Sequence, residues 1–246
     1  MSPRSAEPVP IGISNLDVLL GGGVTKGSVI LLIGPPGTAK SSLVNRFVHE
    51  GLKRGEPCVY ISTLHYSDEI KEHVRRAFGW DYGAYEKGGL LKFVDLHSLW
   101  VREWFPEIPV PVREYAAMPM MMREVLSAIF KALEDVGGDG RAVFTSLSSL
   151  FLVAVDPRDV LKLAHTLKAR CREGGTTAMF VIDKGAQGEE IEDYMRALAD
   201  YVFDVIVRDG ELMMRVTKAL TKHDWDWRPL SITREGIELK AERRAA

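Results

Sequence analysis

Apolar residues fall into two kinds of run along this chain. Short, nearly continuous runs at 29–33, 58–62, 91–96, 141–150 and 178–182 predict buried strands. Between them apolar positions recur three and four residues apart. Leu43, Val44, Phe47 and Val48 form one such set, followed by Ile70, Val74 and Phe78, by Val125, Leu126, Ile129, Phe130 and Leu133, and by Val160, Leu163, Ala164 and Leu167. Each set predicts a helix with one face turned inward. A further helix is expected near 191–198, and Asp209-Gly210 between 202–207 and 212–216 signals an antiparallel hairpin. With 246 residues, strand and helix patterns in alternation suit one large α/β domain with a core that needs no staples.

The first strand and helix are joined by Gly34, Pro35, Pro36, Gly37, Thr38 and Ala39, after which Lys40, Ser41 and Ser42 open the helix. A phosphate-binding loop needs this order. Small loop residues let backbone N–H groups turn onto phosphate oxygens, the helix N-terminus favours an anion, a lysine reaches the outer phosphates, and a hydroxyl serves Mg²⁺. Gly34, Gly37, Lys40 and Ser41 fit these roles. The pattern G-x-x-x-x-G-K-[S/T] expects glycine where Ala39 stands; a methyl there costs about 1–2 kcal/mol if the backbone must be left-handed. An ordinary strand-to-helix turn is the alternative, and it rarely places Lys-Ser directly after GPPGT.

Charge and composition narrow the classes further. Thirty-two Lys and Arg against 34 Asp and Glu leave a net charge of -2, which argues against a strongly basic nucleic-acid surface but not against a local patch. Cys58 and Cys171 lie in apolar-flanked segments without metal spacing, as expected of reduced core cysteines in a cytoplasmic protein. Residues 1–10 are polar and Pro-rich, expected as a flexible leader without a secretory signal, and 241–246 as a frayed tail. The apolar run 143–155 is too short and too interrupted by serine to span a membrane.

Ahead of the loop stand Gly12-Ile13-Ser14-Asn15-Leu16-Asp17, then Leu19-Leu20-Gly21-Gly22-Gly23 and Lys26-Gly27-Ser28. Together with the phosphate loop this order resembles the RecA-superfamily ATPases, most closely the KaiC-like archaeal and bacterial group, and the resemblance runs from Gly12 to about Leu239. It implies a single domain over 11–240 with a RecA-like P-loop core: a mainly parallel sheet flanked by helices, with a C-terminal antiparallel hairpin extension closing through Leu230 to Leu239. It also implies ATP or ADP on the loop, Mg²⁺ held through Ser41, and head-to-tail assembly with nucleotide between subunits.

Against that family the chemistry is thinned. Leu64 and His65 stand where a carboxylate pair polarises the attacking water; Asp68 and Glu69 follow but suit a helix start better. Thr145 occupies the Walker B aspartate position that orients the metal, and keeps a hydroxyl without the charge. Asp183, at the end of its strand, is either a replacement carboxylate or a loop cap. Lys218 matches the first basic residue of an element that reaches the neighbouring subunit's γ-phosphate, whereas Leu220 replaces its arginine. Groups of this kind are worth about 10²-fold or more each in rate. The expected protein is a nucleotide-binding paralogue with weak or absent hydrolysis, acting through self-association, an active paralogue, or a DNA-repair or signalling complex. One alternative is a working ATPase using Asp68, Glu69, Asp183 and Lys218. Another is a DNA-binding accessory using 97–117, where Trp100, Trp104 and Phe105 lie among Pro106, Pro109 and Pro111; these aromatics suit a lid, a contact arm or packing on the domain's own edge. Met118 and Met120 to Met122 suit either a partner surface or core filling.

Overall fold

The computed structural model describes residues 7–98, 122–135, 139–154, 156–234 and 236–240. Most of the aromatic segment 97–117 and the methionines before Met122 lie outside the described residues, as do 1–6 and the tail 241–246. In chain order the elements are α1 (Ser14–Leu19), β1 (Val29–Gly34), α2 (Lys40–Lys53), β2 (Cys58–Ser62), α3 (Ser67–Phe78), α4 (Tyr82–Lys87), β3 (Leu91–Asp95), α5 (Met122–Asp135), β4 (Arg141–Thr145), α6 (Leu147–Val153), α7 (Pro157–Gly174), β5 (Thr177–Asp183), α8 (Glu189–Leu198), β6 (Tyr201–Arg208), β7 (Glu211–Lys218), β8 (Arg228–Thr233) and β9 (Gly236–Leu239).

The strands join in the order β3-β2-β4-β5-β1-β6-β7-β8-β9. Pairing is parallel from β3 through β6 and antiparallel from β6 to β9. This is a mainly parallel sheet with a C-terminal antiparallel extension. Helices cover both faces, so successive β1 residues enter different cores. Val29, Leu31 and Ile33 meet α5, α7 and α8 through Ile129, Leu163, Leu167 and Met195. Ile30 and Leu32 meet α1 to α4 through Leu16, Phe47, Val74 and Tyr82. Burial on two sides is why these strands read as unbroken apolar runs. Cys58 and Cys171 are both buried and free, and burial pushes each thiol up to about 12.

Three expectations change. The apolar run 141–150 is not one strand: β4 ends at Thr145 and α6 follows, because Leu147, Leu150 and Phe151 are buried at spacings of three and four. Val9 and Pro10, assigned above to the leader, are tied down. Val9 exchanges both backbone hydrogen bonds with Val24 (2.7 and 2.9 Å), and the Pro10 carbonyl accepts from the Arg141 guanidinium at 2.7 Å. Trp225 and Trp227, just ahead of the closing hairpin, are expected from the sequence to cover the sheet edge; Trp225 is instead 64% exposed, whereas Trp227 lies under the guanidinium groups of Arg208 and Arg215.

Two buried polar side chains brace the back of the loop helix α2. The Arg141 side chain is fully buried, donating to Glu56 (2.6 Å) and to the Phe47 carbonyl (2.9 Å), with its guanidinium over the Phe47 ring. His49 stacks on Trp80 at 3.9 Å between ring centroids. Burial, with Arg46 and Lys53 nearby, pushes the His49 imidazole down to about 4. A histidine depressed on folding binds more protons when unfolded, so its full contribution holds above about pH 6.5 and fades as pH falls toward 4. Urea unfolding at pH 7.5 and pH 5.0 should therefore show a loss of about 2 kcal/mol that a His49→Gln variant lacks; equal losses in the two proteins would remove His49 as the cause.

Candidate functional site

β1 is buried along all six residues and delivers Gly34 to the carboxyl edge of the sheet. A side chain at Gly34 would overlap the Val205 carbonyl on the adjacent β6, so only glycine lets the two strands approach this closely. Gly37 turns left-handed (φ 80°), and so does Ala39, at φ 56° and ψ 26°. The alanine thus carries the strain expected of it. Thr38 Oγ1 closes the loop on the Pro35 carbonyl at 2.7 Å.

The loop's N–H groups are arranged for an acceptor from outside the protein. Among the described residues, those of Gly37, Thr38 and Ala39 donate to no protein acceptor. Those of Lys40 and Ser41 open α2, where no helical carbonyl precedes them. Pro35, Pro36 and Ser42 complete the turn, with Ser41 exposed at the helix start and the Ser42 N–H bonded to the Ala39 carbonyl. A polyphosphate matches this donor set, an anion met by amides and by the positive end of a 14-residue helix.

Lys40 is buried, and its ammonium has three acceptors: the carbonyls of Gly34 and Pro35, each at 2.7 Å, and Asp183 Oδ1 at 2.9 Å. Asp183 reaches it because β5 lies beside β1 in parallel register, with Gly34 opposite Asp183. The other Asp183 oxygen accepts from Ser146 Oγ at 3.3 Å. Its own N–H donates to Ser148 Oγ (2.7 Å), and its carbonyl accepts from Gln187 Nε2 (3.1 Å). The buried Glu192 carboxylate in turn holds Gln187 Nε2 and the Gly185 N–H. Sequence inspection singled out Asp183 but not Ser146, Ser148, Gln187 or Glu192. The serines after β4 and the Gly185–Gly188 turn were the available signal.

At the tips of β2 and β4 the groups are neutral. Thr63 Oγ1 lies 2.6 Å from the Thr145 carbonyl and 3.0 Å from that of Ser146, and accepts from the Ser146 N–H; Thr145 Oγ1 donates to the Ile61 carbonyl at 3.3 Å. Leu64 is 47% exposed, and His65 stands 3.9 Å from Glu69. Glu69 Oε2 accepts from the Tyr66 N–H at 3.1 Å at the start of α3, the helix-capping role its position suggested. Lys218 donates to the Arg196 and Ala197 carbonyls (3.1 and 2.9 Å), closing the last turn of α8. Of the candidate catalytic residues, the fold brings Asp183 to the loop lysine and gives Glu69 and Lys218 local backbone partners. Among the described residues, no three His, Cys, Asp or Glu side chains are placed to hold a metal ion, and no helix is long and apolar enough to cross a membrane.

The profile of a family described as "ATPase: KaiC" matches residues 9–244. The chain belongs to the KaiC ATPase family. It is 29% identical over 242 residues to a UPF0273 protein of Pyrococcus furiosus, covering 93% of this chain and 92% of that one. A UPF0273 protein of Pyrobaculum aerophilum is 30% identical, with coverage of 96% and 82%. The crystal structure of a KaiC-like protein from Pyrococcus horikoshii OT3 superposes with a TM-score of 0.78 at 21% identity, over 96% of this chain and all of that one, and shows the same fold.

The opening motif shared with KaiC-like proteins has a structural basis here. Asp17 accepts from the N–H groups of Ile11 (2.6 Å) and Gly12 (3.0 Å), and burial raises its carboxyl against the pull of those two bonds. Gly23 packs so tightly on Val9 that any side chain would overlap its carbonyl. Arg46 of α2 donates to the Gly12 carbonyl at 2.5 Å, so the motif holds the phosphate-loop helix from behind. In the loop itself, the departure from the pattern G-x-x-x-x-G-K-[S/T] is testable. Ala39→Gly relieves the left-handed alanine and should raise the unfolding free energy by about 1 kcal/mol. A denaturant titration giving a lower value would show that the methyl is better accommodated than its φ implies.

Proposed function

We propose that this KaiC-family chain binds ATP or ADP at Gly34 to Ser42, with Mg²⁺ reached through Ser41, and hydrolyses it weakly or not at all. The observation that carries this is a contrast within one sheet edge. The loop at the tip of β1 has free amides and a buried lysine, while the tips of β2 and β4 present Leu64, His65 and Thr145 in place of carboxylates. Binding draws on the first set, and water activation and metal charge on the second. When bound, Mg²⁺ would neutralise phosphate charge; this chain supplies amides, a lysine and the Ser41 hydroxyl to orient the phosphates, and Thr145 brings no charge to the metal.

Such a protein acts through what its nucleotide state presents to others. Self-association or union with an active paralogue is the proposed outlet, supported by the exposed Leu220 (58%), an apolar residue where the resemblance places an arginine that reaches the neighbouring subunit, and by the exposed Leu64 (47%) at the position of a water-polarising carboxylate. A second possibility, true turnover with substitute groups, draws support from Asp183, whose carboxylate stands 2.9 Å from Lys40. A nucleic-acid role rests on the segment 97–117, most of it outside the described residues, and has no comparable support.

Titration with a fluorescent ATP analogue in Mg²⁺ tests the binding step. The wild type should bind, and Lys40→Ala should lose at least about tenfold in affinity, since a charge-assisted contact to phosphate is worth about 1.5–3 kcal/mol. Equal affinity of the two proteins, or no binding by either, contradicts the assignment of the loop.

A further inference from the structure

We propose that Asp183 makes nucleotide binding at this loop depend on a divalent cation, by opposing the free polyphosphate and tolerating the cation-loaded one. This rests on the nucleotide-binding function proposed above and assigns the residue that sets its selectivity. The first observation is a saturated lysine. Lys40 Nζ has three hydrogens and three acceptors, the Gly34 and Pro35 carbonyls and Asp183 Oδ1. Any phosphate oxygen that takes a hydrogen from Lys40 takes it from one of these.

The second observation is that the Asp183 backbone is held in place beside the loop. Its backbone is the last residue of β5 in register with Gly34, its N–H is bound by Ser148, and its carbonyl by Gln187. Gln187 and the preceding Gly185 amide are themselves fastened by buried Glu192. Among the described residues, Lys40 is the single cation paired with Asp183, and the other carboxylate oxygen has only the Ser146 hydroxyl. The Asp183 side chain is 24% exposed, so water screens it only partly.

The charge balance follows. Without nucleotide, Lys40 and Asp183 neutralise each other. A free polyphosphate that engages Lys40 leaves a fixed carboxylate beside several negative oxygens, with one lysine shared between them. A divalent cation carried by the phosphates offsets that repulsion. Thr145 supplies no charge at the neighbouring β4 tip, so Asp183 is the carboxylate through which the cation is felt. Like charges at such range, with part of the screening of bulk water, change affinity by about tenfold or more.

The test is a binding titration of the full chain with a fluorescent ADP analogue, in excess EDTA and again in Mg²⁺, for wild type, Asp183→Asn and Asp183→Ser. Asparagine keeps the shape and the Ser146 contact but removes the charge; serine removes both, and thermal unfolding by circular dichroism checks that each variant is folded. Both variants should bind the analogue in EDTA about tenfold more tightly than wild type, with affinity in Mg²⁺ changed less than about threefold. An unchanged affinity in EDTA would overturn the proposal, as would a loss of equal size in both buffers, which marks a purely structural role. Absence of binding by wild type and variants in either buffer would instead overturn nucleotide binding itself, and this inference with it.

Discussion

The ammonium of Lys40 is the point on which the site depends. It is held by two carbonyls of its own loop and by a carboxylate from the neighbouring strand, and so pins the loop to the tip of β5. That contact requires β5 to sit beside β1 with Asp183 opposite Gly34, which the two cores on either side of the sheet enforce. A buried lysine without such partners would carry a large desolvation cost. The Gly34 and Pro35 carbonyls and the Asp183 carboxylate offset that cost.

The rest of the chain holds the base of this arrangement still. Arg141, buried at the start of β4, links the Pro10 carbonyl, the Phe47 carbonyl of α2 and Glu56 in the turn before β2. Gly51 has no side chain because a Cβ there would lie 2.5 Å from the Arg141 side chain. Asp17 and Arg46 tie the opening motif to the same helix, and Asn15 reaches the Leu239 carbonyl on the last strand at 2.7 Å. The opening motif and the last strand thereby meet behind α2, so a motif outside the loop holds the helix that the loop opens.

Much of this was legible because its causes are local. The strand, loop and helix around Gly34 to Ser42, the left-handed Ala39 and the helix start at Glu69 follow from neighbours a few residues away. Fully buried strands such as β2 announced themselves through missing alternation. What escaped notice depends on distant partners or on ambiguous periodicity. Apolar residues at 147, 150 and 151 extend a strand-like run, and only their burial against the sheet marks α6 as helical. Val9 and Pro10 look like a leader until Val24 and Arg141 are placed beside them. Asp183 was visible as a carboxylate at a strand end, but its ion pair with Lys40 requires the strand order. Trp225 and Trp227 read alike, yet only Trp227 finds arginine partners.

On the function proposed above, the loop keeps its binding groups while the sheet edge lacks those that drive hydrolysis. The most direct test is steady-state phosphate release by the purified protein at saturating Mg²⁺ and ATP, with Lys40→Ala in parallel. Turnover below about 10⁻³ per second, close to the intrinsic rate of a phosphate-loop enzyme lacking its trans arginine, is the predicted result. Turnover of about one per second or faster, abolished by Lys40→Ala, would contradict it and make Asp183 the first residue to examine as a substitute catalytic group.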